Sequence, residues 1–472
     1  MNIMIDDLKE LIAIKSVLDE ADLSKAAPFG LGNRQALDWF LNKAKEYGLK
    51  TGELDGYVGW AEYGEGEECI AALCHLDVVP AGDGWTTDPF ELVQKDGYLY
   101  GRGVADNKGS AILCLHALKQ IKESGLKYKH RMRLIVGLNE EHGSACIKHM
   151  MKNAHKEQIP FVSFVPDSSF PLINSEKGIL HLSAKIPLDT FFRENIAFIE
   201  GGQSINVIPD KASVSIFKDS ALGGIIARLN GGDINNKIFS DSSLAGAILA
   251  SGVSLDDFSV KNELEVYTIG AVGLAGHAME PDKGDNAIWK IVTILDAIAG
   301  DSSIASALKN NFCHVKAAEN LGIYKEDKES GKLTMNIGII EFDDDNYLKF
   351  TIDLRLPISA KHDDIKKKIE QHLPKGGKLE VLRYAANLYV SQDDDLVKTL
   401  LKVYKDKTGK EGYCIKTGGG TYARDLPKAV AFGPVEEAVE TNLHKAQENM
   451  SLKDFETAFE IYKAAFIELG KA

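Results

Sequence analysis

CIAALCHLDVVP, residues 69–80, runs apolar from Cys69 to Cys74 and then presents His75 and, two residues on, Asp77. Continuous rather than alternating hydrophobicity suits a strand buried on both faces of a parallel sheet. Such sheets gather ligands just beyond the carboxyl ends of their strands, and His75 and Asp77 fall there. The pattern recurs along the chain. LIVGL (134–138) leads into Glu140–Glu141, FVSFV (161–165) into Asp167, and AVAFG (429–433) into the loop that carries His444. Asp106 opens a helical segment, NKGSAILCLHALKQIKESG (107–125), whose Ala111, Leu115, Leu118 and Ile121 form one stripe.

Helix and strand alternate through the first third, where NRQALDWFLNKAKEYG (33–48) is a second amphipathic helix stopped by Gly48. The same style returns at the end, in a helix striped by Leu452, Phe455, Phe459, Tyr462, Phe466 and Leu469, with Ser451 and Asp454 resembling a capping box. The middle differs. KASVSIF (211–217), LTMNIGIIEF (333–342) and KFTIDLR (349–355) alternate, as strands with one exposed face do. A helix is expected at 286–299. The expected architecture is α/β: a mostly parallel-sheet catalytic domain over 1–179, resumed at 386–472, with an inserted α+β domain at 180–385.

At 472 residues the chain exceeds the ~250–300 at which single cores stop growing. No apolar stretch approaches the ~20 residues of a membrane span, and MNIMIDDLKE lacks the basic and apolar regions of a secretory signal. Net charge is −14 without a Lys/Arg cluster, which argues against nucleic-acid and membrane partners. Six cysteines without CxxC spacing read as reduced core residues of a cytoplasmic protein. The acidic runs 343–345 and 393–395 are expected to be solvated loops.

Singly, each polar residue at a strand end has an ordinary explanation: a surface turn for Glu140–Glu141, a helix cap for Asp106, a loop histidine for His444. Their joint recurrence at strand ends points to a two-metal hydrolase. Suppose Asp106 bridges two divalent ions, His75 and Asp167 complete one site, and Glu141 and His444 complete the other. Three carboxylates then face two doubly charged ions ~3.5–4 Å apart, a charge balance suited to a metal-bridged water as nucleophile. Nitrogen and carboxylate donors without thiolate favour zinc, with manganese or cobalt as alternatives. Glu140 is left over as a general base for that water. Asp77 reads as the carboxylate that fixes the His75 tautomer.

HLDVVP (75–80), GWTTDPF (84–90), YGRGVADNKG (100–109), NEEHGS (139–144) and VPDSSFP (165–171) resemble the di-zinc peptidases related to carboxypeptidases and aminoacylases, in particular the PepV-type dipeptidases. The likeness continues through GGQSINVIPD (201–210), GHAMEPDKGDNAI (276–288), TGGGTYAR (417–424) and NLHKAQE (442–448). It implies the ligand set above, with Glu140 as base and Asp77 in support, and a cis peptide bond after Asp106. It implies that the insertion is a lid of two ferredoxin-like subdomains, with Asn206 and His277 contacting the transition state and Arg355 anchoring the substrate carboxylate. Arg355 stands on the Thr351–Asp353–Arg355 face of its strand, where an arginine paired with an acid is the plainer reading. Gly418, Gly419 and Gly420 are expected to let backbone approach a small ligand. SSFPLIN after Asp167, and Thr421 where an acid is frequent, depart from the family pattern and bear on substrate preference. The resemblance implies a dipeptidase acting as a monomer. The alternatives are an N-acyl-amino-acid or tripeptide hydrolase with the same metals, or a non-catalytic binding protein on the same fold.

Overall fold

The computed structural model describes residues 1–229, 254–299, 303–314, 317–343 and 345–471. Two compact units divide the chain: Met1–Glu176 with Leu388–Ala472, and Lys177–Asn387.

In the first unit nine strands form one sheet. At its centre Arg131–Gly137, Cys69–His75, Val162–Val165 and Ala429–Ala431 lie side by side in that order, all parallel. Every residue of Cys69–His75 and of Val162–Val165 is buried, as two covered faces demand. The covering helices include Leu31–Glu46, Lys108–Glu123 and Leu452–Lys471, whose apolar stripes enter the same core. Ser451 caps the last helix one-sidedly: its hydroxyl accepts from Asp454 N–H at 3.0 Å and donates to the Asp454 carboxylate at 2.5 Å.

Around this parallel centre the flanking strands make the sheet mixed. Lys50–Leu54 and Val58–Tyr63 form a hairpin that joins antiparallel to Arg131–Gly137. Asp55 and Gly56 both have positive φ, 51° and 72°, in a turn closed by Tyr57 N–H to Leu54 O at 2.9 Å. So short a connection can join only antiparallel neighbours. On the other flank Leu172–Glu176 runs antiparallel to Ala429–Ala431 and to Leu388–Tyr389.

Among the described residues the main sheet of the second unit has eight antiparallel strands. Lys211–Phe217, Thr334–Phe342 and Tyr347–Leu356 are among its strands. Helix Ala287–Ala299 contributes Ile288, Ile291, Val292 and Leu295 to a core shared with Val214, Ile337, Phe350 and Ile352. Ile196–Gly201 meets Thr334–Phe342 only at Glu200↔Glu341 and Gly201↔Ile340. The sheet therefore consists of two four-stranded halves joined at a narrow seam.

Of the two acidic runs, Asp394 is an N-cap rather than a loop residue, accepting from Leu396 N–H at 2.8 Å to start helix Asp395–Thr408. Asp344 lies outside the described residues. All six cysteines are unpaired. Among the described residues no helix is long and apolar enough to cross a membrane.

Candidate metal centre

Because the four central strands are parallel, their carboxyl ends reach one edge of the sheet. His75 is the last residue of its strand, Asp167 lies two residues beyond Val165, and Glu140–Glu141 follow the strand that ends at Gly137. The His444 loop comes after Pro434–Glu436, which itself pairs parallel with Ser168–Phe170. His444 holds a positive φ of 60°, a backbone state that few non-glycine residues adopt. Asp106 enters just before helix Lys108–Glu123, and the Asp106–Asn107 peptide bond is cis.

Asp106 occupies the middle of the group. Its Oδ1 is 2.8 Å from His75 Nε2 and its Oδ2 is 3.1 Å from His444 Nε2. Asp167 Oδ2 lies 3.7 Å from His75 Nε2, and Glu141 Oε2 lies 3.2 Å from His444 Nε2. Two triplets result, His75–Asp106–Asp167 and Asp106–Glu141–His444, each with ligand atoms within 4.8 Å of one another. Sharing Asp106 is what a carboxylate spanning two cations requires.

The electrostatics agree. Burial pushes Glu140 well above the usual carboxylate range, with the Asp167 charge adding to it, and burial raises Glu141 and Asp167 too. Asp106 goes the other way: burial opposes its charge, but hydrogen bonds from His444 and His75 hold it low. Burial likewise opposes a charge on His75, yet Asp167 and Asp106 raise it well above the usual value. Hydrogen bonds to Asp106 and Glu141 raise His444 to about 10. Four carboxylates facing two imidazoles leave excess negative charge where water is scarce. Divalent cations would remove that excess, so the donor set and its charge both fit them. The cleft beside them, about 240 Å3, is lined by Asp106, Glu140, Glu141, Asp167 and His444 together with Gly419 and Gly420. Gly418 is not part of its wall.

The sequence pattern of peptidase family M20/M25/M40 matches residues 71–468. The chain belongs to this family. It is accordingly a hydrolase of the metallopeptidase class, and the M20/M25/M40 metallopeptidases use divalent metal ions. "Putative dipeptidase YtjP" of Bacillus subtilis (strain 168) is 33% identical over 474 residues, 99% of this chain and 97% of the relative. "Putative dipeptidase" of Staphylococcus epidermidis is 32% identical over 476 residues, with the same coverages. Among solved structures, human carnosine dipeptidase 1 matches with a TM-score of 0.56 at 15% identity, covering 99% of this chain and 97% of that one. Aminopeptidase PepT from Bacillus cereus ATCC 10987 matches with 0.58 at 15% identity, covering 99% and 98%. These two share the fold of this M20/M25/M40 peptidase.

Asp77 meets the site through both its carbonyl and its carboxylate. His75 Nδ1 lies 2.9 Å from the backbone carbonyl oxygen of Asp77 and 3.5 Å from its carboxylate. A carbonyl only accepts, so Nδ1 carries a proton, while Nε2 donates to Asp106 Oδ1 at 2.8 Å and is the nitrogen that would turn to a cation once its own proton is lost. The Asp77 carboxylate also accepts the backbone N–H groups of Glu140 and Glu141, each at 3.1 Å. It ties the end of one strand to the acidic pair beyond its neighbour. Asp77→Asn keeps the carbonyl contact but sets an NH2 group against one of those N–H donors. The expected outcome is a fall in kcat of about 10- to 100-fold, and unchanged kinetics would show that the acidic pair is held by other bonds.

Three supports were not singled out from the sequence of this M20/M25/M40 peptidase. Asn107 donates to Pro166 O at 2.5 Å and to Asp167 Oδ1 at 3.2 Å, and accepts from His75 N–H at 3.3 Å. Buried Glu448 accepts from Arg102 Nη1 at 2.6 Å and from the N–H groups of Gly103, Ala105 and Asp106 at 3.0–3.1 Å. Glu176 holds the glycine loop, as detailed below. Their only signal was membership of the motifs YGRGVADNKG and NLHKAQE, or, for Glu176, none.

The remaining expected residues belong to the second unit. Asn206 immediately precedes the short strand Val207–Ile208, which pairs with Gly276–His277 so that Val207 lies opposite His277, and Ala278 N–H donates to Asn206 O at 2.9 Å. Asn206 Oδ1 accepts from Ser204 Oγ at 2.6 Å. His277 Nδ1 accepts from Met279 N–H at 3.0 Å, which places the proton of the neutral ring on Nε2. Partial desolvation, with the Arg355 charge nearby, lowers the His277 pKa and favours that neutral form. Arg355 is buried, and its Nε and Nη2 grip the two oxygens of Asp353 at 2.7 Å each. Asp353 also accepts from His181 Nε2 at 3.0 Å. The acid-paired arginine of the plainer reading is thus present, but in a buried network rather than at the surface.

Proposed function

We propose that this peptidase cleaves dipeptides with a free N-terminus. In this reading two divalent ions, zinc in the first instance, are held by His75, Asp106 and Asp167 and by Asp106, Glu141 and His444. The observation that carries it is Asp106, with each oxygen turned to a different imidazole, and Glu140 left in the cleft outside both triplets. The dipeptidase names of the Bacillus and Staphylococcus relatives support the substrate class.

Two such ions, held by these residues, would supply polarisation of a scissile carbonyl and acidification of the attacking water. Glu140 takes that water's proton and passes it to the leaving amine. Asp77 holds Glu140 in place through its backbone N–H. His277, neutral with Nε2–H, is suited to donate to the carbonyl oxygen as negative charge grows there. Arg355, oriented by Asp353, is suited to the C-terminal carboxylate. Asn206 and the backbone of Gly419 and Gly420 are further candidates for substrate contact. A carboxylate anchor one residue beyond the cut limits length to dipeptides. We further read the enzyme as a cytoplasmic, functional monomer, a location to which six unpaired cysteines are suited.

The test is a panel of free dipeptides, N-acylated dipeptides and tripeptides. It is run after chelation and separate refilling with zinc, manganese and cobalt. Restored cleavage of free dipeptides is expected. Preference for blocked substrates or tripeptides would move the assignment to those classes, and inactivity on all of them would leave a binding protein. Arg355→Lys keeps the charge near Asp353 but loses the fork. It should weaken dipeptide cleavage about 10-fold or more while sparing an analogue without the C-terminal carboxylate. Equal losses on both would remove the anchor role.

A further inference from the structure

The glycine loop of the cleft is gripped from behind by a buried ion pair. Glu176 is fully buried, and its Oε1 accepts from Thr421 Oγ1 at 2.7 Å. Its Oε2 accepts from Thr421 N–H at 3.2 Å and from Arg424 Nε at 3.1 Å, with Arg424 Nη2 3.0 Å away. Arg424 Nη2 also donates to Gly419 O at 2.8 Å. The guanidinium lies against Gly420, where a Cβ would come within 1.9 Å of Nη2 and 2.3 Å of Cζ. Any larger residue at 420 would displace the arginine. On the cleft side, Thr417 Oγ1 accepts from Gly419 N–H at 3.0 Å. Thr417, Gly419, Gly420 and Thr421 form one wall of the cleft whose other residues include Asp106, Glu140, Glu141 and Asp167. Glu176 is also the final residue of the first unit's leading segment, in register with Leu388 where the chain returns.

A carboxylate removed from water persists only where it is paired and hydrogen-bonded, so this is a built arrangement. None of the bonds named involves a candidate metal ligand. We propose that Glu176, Thr421 and Arg424 are positioning residues that set the backbone of this wall and thereby govern substrate affinity rather than the chemical step. The proposal rests on the peptidase reading of the cleft above. Thr421 recruits a carboxylate from a strand far away in sequence. The planar fork of Arg424 serves Glu176 and the Gly419 carbonyl together, which a lysine, with a single compact charge, does not reproduce.

Thr421→Val, Thr421→Ser and Arg424→Lys are compared with wild type on alanyl-alanine, with metal content measured alongside. Thr421→Val and Arg424→Lys should raise KM about 10-fold or more with kcat within about threefold, while Thr421→Ser, which keeps the hydroxyl, behaves as wild type. Metal content should not change. Unchanged KM in both variants, or a collapse of kcat with loss of metal, would overturn the proposal. If Arg424→Lys does not fold, the Thr421→Val and Thr421→Ser pair decides. If wild-type protein cleaves no dipeptide, the substrate reading fails instead, and the clamp is scored on the blocked or longer peptide that it does cleave.

Discussion

Glu140→Ala protein should retain its metal ions and lose turnover. Glu140 is outside both ligand triplets yet lines the same cleft, so its removal leaves every donor to the cations in place. The loss expected for a missing general base is about 10²- to 10⁴-fold in kcat, equivalent to roughly 3–5 kcal/mol of barrier. The backbone N–H of residue 140 still bonds to Asp77, so Glu141 should remain positioned. Elemental analysis beside single-turnover kinetics checks both halves. Loss of metal in step with activity would make Glu140 a ligand.

The second large effect is expected at Asp106. Asn at this position removes one negative charge and leaves one oxygen to serve two sites. Both sites should weaken together, because Oδ1 belongs with His75 and Oδ2 with His444. The affinity loss should be at least about 100-fold, the upper end of what changes outside the ligand shell cause. Asp167→Asn and Glu141→Gln each touch one triplet, and each should empty its own site first. Titrating metal back into the three chelated variants separates these behaviours. Sequential, independent loss in Asp106→Asn would show that Asp106 serves only one ion.

The central strands were legible because burial on both faces imposes unbroken apolar runs. Cys69–His75 and Val162–Val165 are buried along their whole length. The hairpin at Asp55–Gly56 was not anticipated, although an Asp-Gly pair is a recognised turn signal, and its antiparallel strands made the sheet mixed. Alternation located both Lys211–Phe217 and Tyr347–Leu356, but only the first has one covered face and a two-residue burial period; in the second every residue from Phe350 to Leu356 is buried, against the expectation of an exposed face. The same alternation placed Asp353 and Arg355 on one face. It could not show that they bind each other, because partner choice depends on rotamer and on what packs alongside.

From the chain alone one could obtain the donors, their kind and the strand ends that carry them, since local hydrophobic period and residue chemistry are properties of neighbours in sequence. Which oxygen of Asp106 faces which imidazole needed the folded arrangement. So did the finding that Asp77 holds His75 by its carbonyl and the acidic pair by its carboxylate. The grip of Glu176 on Thr421, 245 residues away, is the extreme case. Hydrogen bonds across such distances are fixed by strand register and loop closure, and no local pattern encodes them.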